Sequence, residues 1–105
     1  RTFQPLAVLA NHRGEVKRVA FSPDGSLLAT TSGDRRVRLF ECQSGSFQLV
    51  GVLHGHSDHV FDVAWAPDGS WLVSASHDKT WRAWRRRDAS ATRGFLASLP
   101  VPPPV

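Results

Sequence analysis

Apolar and polar positions alternate in short runs separated by turn-forming residues, a pattern that predicts strands along most of the chain. In Glu15-Val16-Lys17-Arg18-Val19-Ala20-Phe21, Val19 and Phe21 stand two apart and share one face of a strand. Ser22-Pro23-Asp24-Gly25 follows, with proline at the second and glycine at the fourth position of a type I turn. Leu27–Ser32 has apolar or small residues on both faces, which marks a strand buried from both sides. Gly33-Asp34-Arg35 turns the chain into Arg36-Val37-Arg38-Leu39-Phe40, where arginine alternates with apolar residues and a half-exposed strand is expected. Ser44-Gly45-Ser46 makes the next turn, and residues 47–53 form a fourth strand. Further on, residues 60–65, 71–75 and 80–84 read as three strands, 88–92 as a polar loop and 95–99 as a short final strand. No helix of useful length is expected.

The landmarks occur twice. His12 recurs as His56, Val16 as Val60, Val19 as Val63, Phe21 as Trp65, Asp34 as Asp78 and Phe40 as Trp84, always 44 positions on. Ser22-Pro23-Asp24-Gly25 returns at the same offset as Ala66-Pro67-Asp68-Gly69. A fixed period of about 40–45 residues signals a repeat architecture, and a repeat unit cannot bury its apolar faces without a neighbour. At 105 residues and 41% hydrophobic content, the composition is that of a folded chain, and no run approaches the roughly 18 apolar residues of a membrane span. The chain starts inside a periodic segment, residues 3–9, with no Met and no leader, and is expected to be a fragment or truncated product of a longer polypeptide. A lone Cys42 leaves no internal disulfide and fits a reducing, intracellular setting. The net charge of +4, from 13 Lys and Arg against 9 Asp and Glu, is modest. Arg35, Arg36, Arg38 and Arg85-Arg86-Arg87 are read as solvated positions on outer strands that discourage edge pairing. No aromatics interleave with the basic run as stacking platforms for nucleic acid.

On these residues the chain, from about position 3 to 99, resembles two consecutive units of the WD-repeat β-propeller family. Units of that family open on Gly-His, pass through a Ser-Pro-Asp-Gly-like turn and close on Trp-Asp. Gly55-His56 is intact here, and the first unit has Asn11-His12, asparagine also tolerating the left-handed backbone that glycine favours. The closing pairs are Phe40-Glu41 and Trp84-Arg85, so spacing rather than a dipeptide carries the match: His to Asp is 22 positions in both units, and Asp to the closing aromatic is 6. The resemblance implies an all-β fold of two four-stranded antiparallel blades of an incomplete β-propeller, about residues 1–53 and 54–99, with a flexible Pro-rich tail at 100–105. It also implies one buried network per blade. In the second, the Trp84 indole donates to Ser74, Ser74 to His56, and His56 to Asp78. In the first, His12, Thr30, Asp34 and Phe40 take these positions. Phe40 has no N–H, so Thr30 must find another donor or go without, and the first blade is expected to be the less rigid.

Propellers of this family are mostly scaffolds. Their frequent contact positions fall on Glu15, Lys17 and Gly33 in the first unit and on His59, Phe61 and His77 in the second. An aromatic between two histidines suits an interface anchor; the other reading of Phe61 is a filler against a neighbouring blade. The implied function is a non-enzymatic protein-interaction scaffold with no cofactor and a protein or peptide partner. A nucleic-acid-contacting propeller using Lys17, Arg18, Arg38 and Arg82 is the alternative. The Ser-His-Asp set resembles a hydrolytic triad. The resemblance buries it behind Trp84, however, and no Gly-x-Ser-x-Gly elbow is present. His54, His56 and His59, with His77, are closely spaced as zinc ligands are; His56 is already assigned to the network, and no metal site is expected. Phe21, Trp65, Trp71, Trp81 and Trp84 are read as core between blades, Trp81 being large for the slot Val37 fills in the first unit. Closure takes about four to eight blades, so the remaining blades are expected from the parent chain or from assembly.

Overall fold

The computed structural model describes residues 6–10, 12–88 and 91–95, with side chains as far as Arg86. The strands in chain order are β1 (Val16–Phe21), β2 (Leu27–Ser32), β3 (Val37–Gln43), β4 (Ser46–Leu53), β5 (Val60–Trp65), β6 (Trp71–Ser76), β7 (Trp81–Asp88) and β8 (Ala91–Phe95). They pair as two antiparallel sheets, β1-β2-β3-β4 and β5-β6-β7-β8. Among the described residues there is no helix.

Local chemistry sets the hairpins. In the β1–β2 turn the Gly25 amide donates to the Ser22 carbonyl at 2.9 Å. Asp24 Oδ1 accepts from the Ser26 amide and from the Ser26 and Ser22 hydroxyls at 3.0, 2.7 and 2.8 Å. Those bonds, Ser26 foremost, hold the Asp24 carboxyl down at about 2. The second blade repeats the turn through Gly69, whose φ of 76° equals that of Gly25, a left-handed conformation natural to glycine. Between β3 and β4, Ser44 and Gly45 both have positive φ, 50° and 80°, as a two-residue type I′ hairpin requires.

Three expectations need correction. Residues 88–92 are not a polar loop, because β7 runs on to Asp88 and β8 occupies Ala91–Phe95. Arg86 pairs with Phe95 and Asp88 with Ala91. A rim strand held by backbone pairing needs no apolar alternation, so its sequence does not announce it. Residues 96–99 and the tail at 100–105 lie outside the described residues. Secondly, β3 is not half-exposed: Val37 through Phe40 are all buried, Arg38 included. Thirdly, Gly55 is not among the residues of positive φ. It serves by lacking a side chain, since a Cβ there would come within 3.1 Å of Arg82 Nε.

One apolar cluster joins the two sheets. Ala29, Val37, Leu39 and Leu53 of the first blade pack with Val60, Val63, Leu72 and Trp84 of the second. Trp65 adds a polar stitch, its indole N–H donating to the Ala20 carbonyl across the blades at 3.0 Å. Equivalent valines measure what the neighbour contributes. Val60 and Val63, which face the first blade, are 0% and 6% exposed, whereas Val16 and Val19 are 45% and 54% exposed. Phe21 is exposed too, with its ring tilted against Phe47 at a centroid distance of 6.5 Å. Side chain and strand position match in each pair; only the covering sheet differs. Burying such a side chain is worth roughly 1.5–3 kcal/mol, so the interblade contact is the main source of cohesion between the sheets.

Leu72→Ala, which opens a cavity at a fully buried position, should cost about 2–5 kcal/mol in urea unfolding. Val19→Ala should change stability by less than about 0.5 kcal/mol. A Val19 cost as large as that at Leu72 would mean that another surface covers β1 in solution.

Candidate functional site

The second blade carries a continuous buried network. The Trp84 indole donates to Ser74 Oγ at 2.9 Å, Ser74 Oγ lies 2.8 Å from His56 Nε2, and His56 Nδ1 lies 2.9 Å from Asp78 Oδ2. Donor roles follow from the only N–H that indole has: Ser74 accepts from Trp84, donates to His56, and His56 donates to the carboxylate. Asp78 also accepts from the Ser57 amide at 3.0 Å and from the Thr80 amide at 2.9 Å. Burial by itself would raise the Asp78 carboxyl. The bonds from Thr80, His56 and Ser57 outweigh it and hold the group well below the usual carboxylate range. His56 and Ser74 are buried behind Trp84, a poor setting for a nucleophile that must meet substrate.

The first blade solves the same problem with different partners. His12 Nε2 lies 2.6 Å from Thr30 Oγ1, and Phe40 contributes only a tilted ring contact with His12 at 6.1 Å. Asp34 takes a two-pronged bond from Arg38, 3.1 Å from Nη1 and 2.6 Å from Nη2, in the place where the second blade uses histidine. His12 Nδ1 is buried with no hydrogen-bond partner. Burial first, and then the Arg38 charge, lower the pKa of His12 from 6.5, the Asp34 carboxylate opposing. Asp34 is also held well below the usual range: burial would raise it, and the Arg38 fork, the Arg13 amide and Ser32 prevail.

The six surface positions come together across the interblade seam. β1 and β5 each carry an irregularity, between Val16 and Arg18 and between Val60 and Asp62. The extra residues are Lys17 and Phe61. A bulge of this kind re-aims the side chain that occupies it. Phe61 is 42% exposed and stands edge-on to His77 with centroids 5.0 Å apart, while His77 meets His59 at 5.9 Å. The backbones match as well: the His77 amide donates to the His59 carbonyl at 2.9 Å, as the Gly33 amide does to Glu15 at 2.8 Å. Lys17 Nζ bonds Glu15 Oε1 at 2.7 Å, and that bond and charge, with a smaller contribution from His59, lower the Glu15 pKa. A Cβ on Gly33 would lie 4.0 Å from His59 Nδ1, so the two halves of the surface adjoin.

Other candidates are placed differently. Arg38 is buried on Asp34 and is not a solvated surface charge, which removes one of the four residues of the nucleic-acid alternative from open display, while Arg18 stays exposed and pairs with Asp62 at 3.2 Å. Trp84 is core as expected. Phe21 is not, and Trp71, only partly buried, lies under the Arg85 guanidinium at 4.8 Å. His54 Nδ1 accepts from Arg36 Nε at 3.2 Å. Among the described residues no group of three or more His, Cys, Asp or Glu is arranged to hold a metal ion. The Asp34–Arg38 pair is not announced by the sequence, where Arg38 alternates with apolar residues as a surface charge would.

Two blades stitched along one seam, each with a histidine and an acidic turn under its strands, define a repeat protein of the propeller type. The family described as WD domain, G-beta repeat matches residues 3–41 and 47–85, and the chain belongs to the WD-repeat family. Members of this family generally act as protein-interaction scaffolds rather than as enzymes. The chain is similar to Protein HIR1 of Kluyveromyces lactis, 42% identical over 43 residues, 41% of this chain and 5% of that protein. It is similar to Ribosome assembly protein 4 of Chaetomium thermophilum, 39% identical over 44 residues, 42% of this chain and 8% of that protein. A probable cytosolic iron-sulfur protein assembly protein, the CIAO1 homolog of Chlamydomonas reinhardtii, is 45% identical over 39 residues, 37% of this chain and 11% of that protein. The matched stretches are therefore a small part of each relative's length.

Trp84→Phe should lower stability by about 1–3 kcal/mol in denaturant unfolding, because it removes the donor that Ser74 accepts from. The pH dependence has a definite sign. His12, lowered from 6.5, loses stability as pH falls through about 6.5, since the unfolded chain takes up that proton more readily. Asp34 and Asp78, lowered from 3.8, contribute fully above about pH 4 and lose that contribution as pH falls further. Unfolding midpoints measured against pH should descend in two steps, and Asp78→Asn should shrink the more acidic one.

Proposed function

We propose that this chain presents a protein-binding surface formed by His59, Phe61 and His77 of the second blade with Glu15, Lys17 and Gly33 of the first, and acts as a non-enzymatic scaffold. The observation that carries this reading is Phe61, set on a bulge and left 42% exposed between the buried Val60 and Val63 of its own strand. Its edge-on contact with His77 gives it a fixed orientation at little entropic cost on binding. The adjoining Lys17–Glu15 pair supplies a polar rim of the kind that surrounds such anchors. The open faces at Val16, Val19 and Phe21 support a setting in which further blades, from the same polypeptide or by assembly, complete the ring. An intracellular setting, nuclear or cytosolic, accompanies this reading; it rests on the single unpaired Cys42 and on relatives named for ribosome and cytosolic iron-sulfur protein assembly.

The test is affinity capture with quantitative mass spectrometry, wild type against Phe61→Ala. A hot-spot anchor is worth at least about 2 kcal/mol, or some thirtyfold in affinity, so specific partners should be depleted by Phe61→Ala and recovered by Phe61→Trp. Identical sets of captured proteins would remove Phe61 from the surface.

A further inference from the structure

The turn that follows β2 and the segment that follows β4 enclose a cleft of about 480 Å³ lined by Arg13, Arg35, Arg36 and His54, with Gly33 and Asp34 at its wall. Its charge is unbalanced. Asp34 is the one carboxylate in the lining, and both its oxygens are taken by the Arg38 fork and the Arg13 amide. Among the described residues no carboxylate pairs with the guanidinium of Arg13, Arg35 or Arg36. Arg36 spends only its Nε, on His54 Nδ1 at 3.2 Å. That bond braces the guanidinium, leaves both of its terminal amino groups to donate, and fixes the imidazole as an N–H donor at Nε2. Three guanidiniums and an imidazole N–H offer more donors than one carboxylate can accept. A phosphate monoester, with three anionic oxygens and nearly two charges, matches them.

We propose that this cleft binds a phosphoryl group carried on a phosphorylated segment of a protein partner. The proposal rests on the surface described under the proposed function and extends it. Gly33 belongs both to the cleft wall and to that surface, adjoining His59, so a polypeptide seated on Phe61 reaches the arginines without leaving the protein. On the other side the cleft shares Arg13, Arg36 and His54 with a second one of about 390 Å³ that adds Leu49 and Val52. Leu49 is solvent-exposed and gives apolar footing to a residue flanking the phosphate. Apolar contact on both sides of a cationic centre suits a peptide better than a bare anion or a nucleic-acid backbone, whose charges recur along its length.

The experiment titrates the full chain with a fluorescent peptide pool of randomised flanks around a fixed phosphoserine, and with the same pool carrying serine. The phosphoserine pool should bind saturably and at least about tenfold more tightly, the worth of one charge-assisted hydrogen bond. Arg13→Ala and Arg36→Ala should each lose about tenfold or more, and Arg36→Lys should recover only part, because the ammonium keeps the charge without the fork. Arg85→Ala, which removes the same charge outside the cleft, should change nothing, and unchanged thermal midpoints would show the variants to be folded. Equal binding of the two pools, or binding indifferent to Arg13 and Arg36, overturns the proposal. Tighter binding to phosphoinositide vesicles or to poly(U) RNA at equal phosphate concentration overturns the peptide as its source. Phosphate-independent capture that still requires Phe61 removes the cleft and leaves the scaffold surface standing. Phosphoserine binding that needs Arg36 but not Phe61 supports the cleft and removes the anchor.

Discussion

The structure depends on one contact, the covering of a blade's outward face by the β5 face of the next. Val60 and Val63 lose almost all their exposure against β1 and β2, and the Trp65 indole ties the same seam through the Ala20 carbonyl. Without that contact each sheet is a twisted ribbon with a greasy side in water. The contact is also directional: the surface that covers and the surface that is covered are different faces of one repeat. Such a head-to-tail contact propagates until it closes. The exposed valines of β1 are the covering surface of the first blade, left without a sheet to cover.

Much of the architecture was legible because it rests on short-range chemistry. Pro23-Asp24-Gly25 and Ser44-Gly45 name their turns, and the all-small-or-apolar run of β2 names a strand walled in on both sides. Where legibility ended, pairing or distant partners had taken over. β8 is set by backbone pairing to β7 rather than by its own composition. Arg38 reads as a surface charge until Asp34 is seen to draw it inward. The extra residues in β1 and β5 are invisible as such, because a bulge belongs to two strands and the sequence lists one at a time.

The members of the candidate site follow from the family resemblance, and its mechanics do not. Phe61, His59 and His77 could be named from position in the repeat, but their edge-on ring geometry and their adjacency to Gly33 of the other blade depend on the seam. The two buried networks show how much latitude the fold allows. The carboxylate is what each turn requires, since it gathers the amides of Arg13 and Arg36 in one blade and of Ser57 and Thr80 in the other. Beyond the amides the carboxylate is held by a guanidinium in the first case and by an imidazole and the Thr80 hydroxyl in the second. Giving the turn carboxylate to Arg38 in place of histidine thus leaves the turn intact while stranding His12 Nδ1 beside it.

The bulges have a wider bearing. Each places one residue outside the ladder, so its identity is not constrained by cross-strand packing or by register. Lysine in one blade and phenylalanine in the next occupy this position over nearly identical scaffolding. A ring built from such units displays a circle of interchangeable letters on a fixed frame, and what it recognises can be rewritten one letter at a time while its folding instructions stay the same.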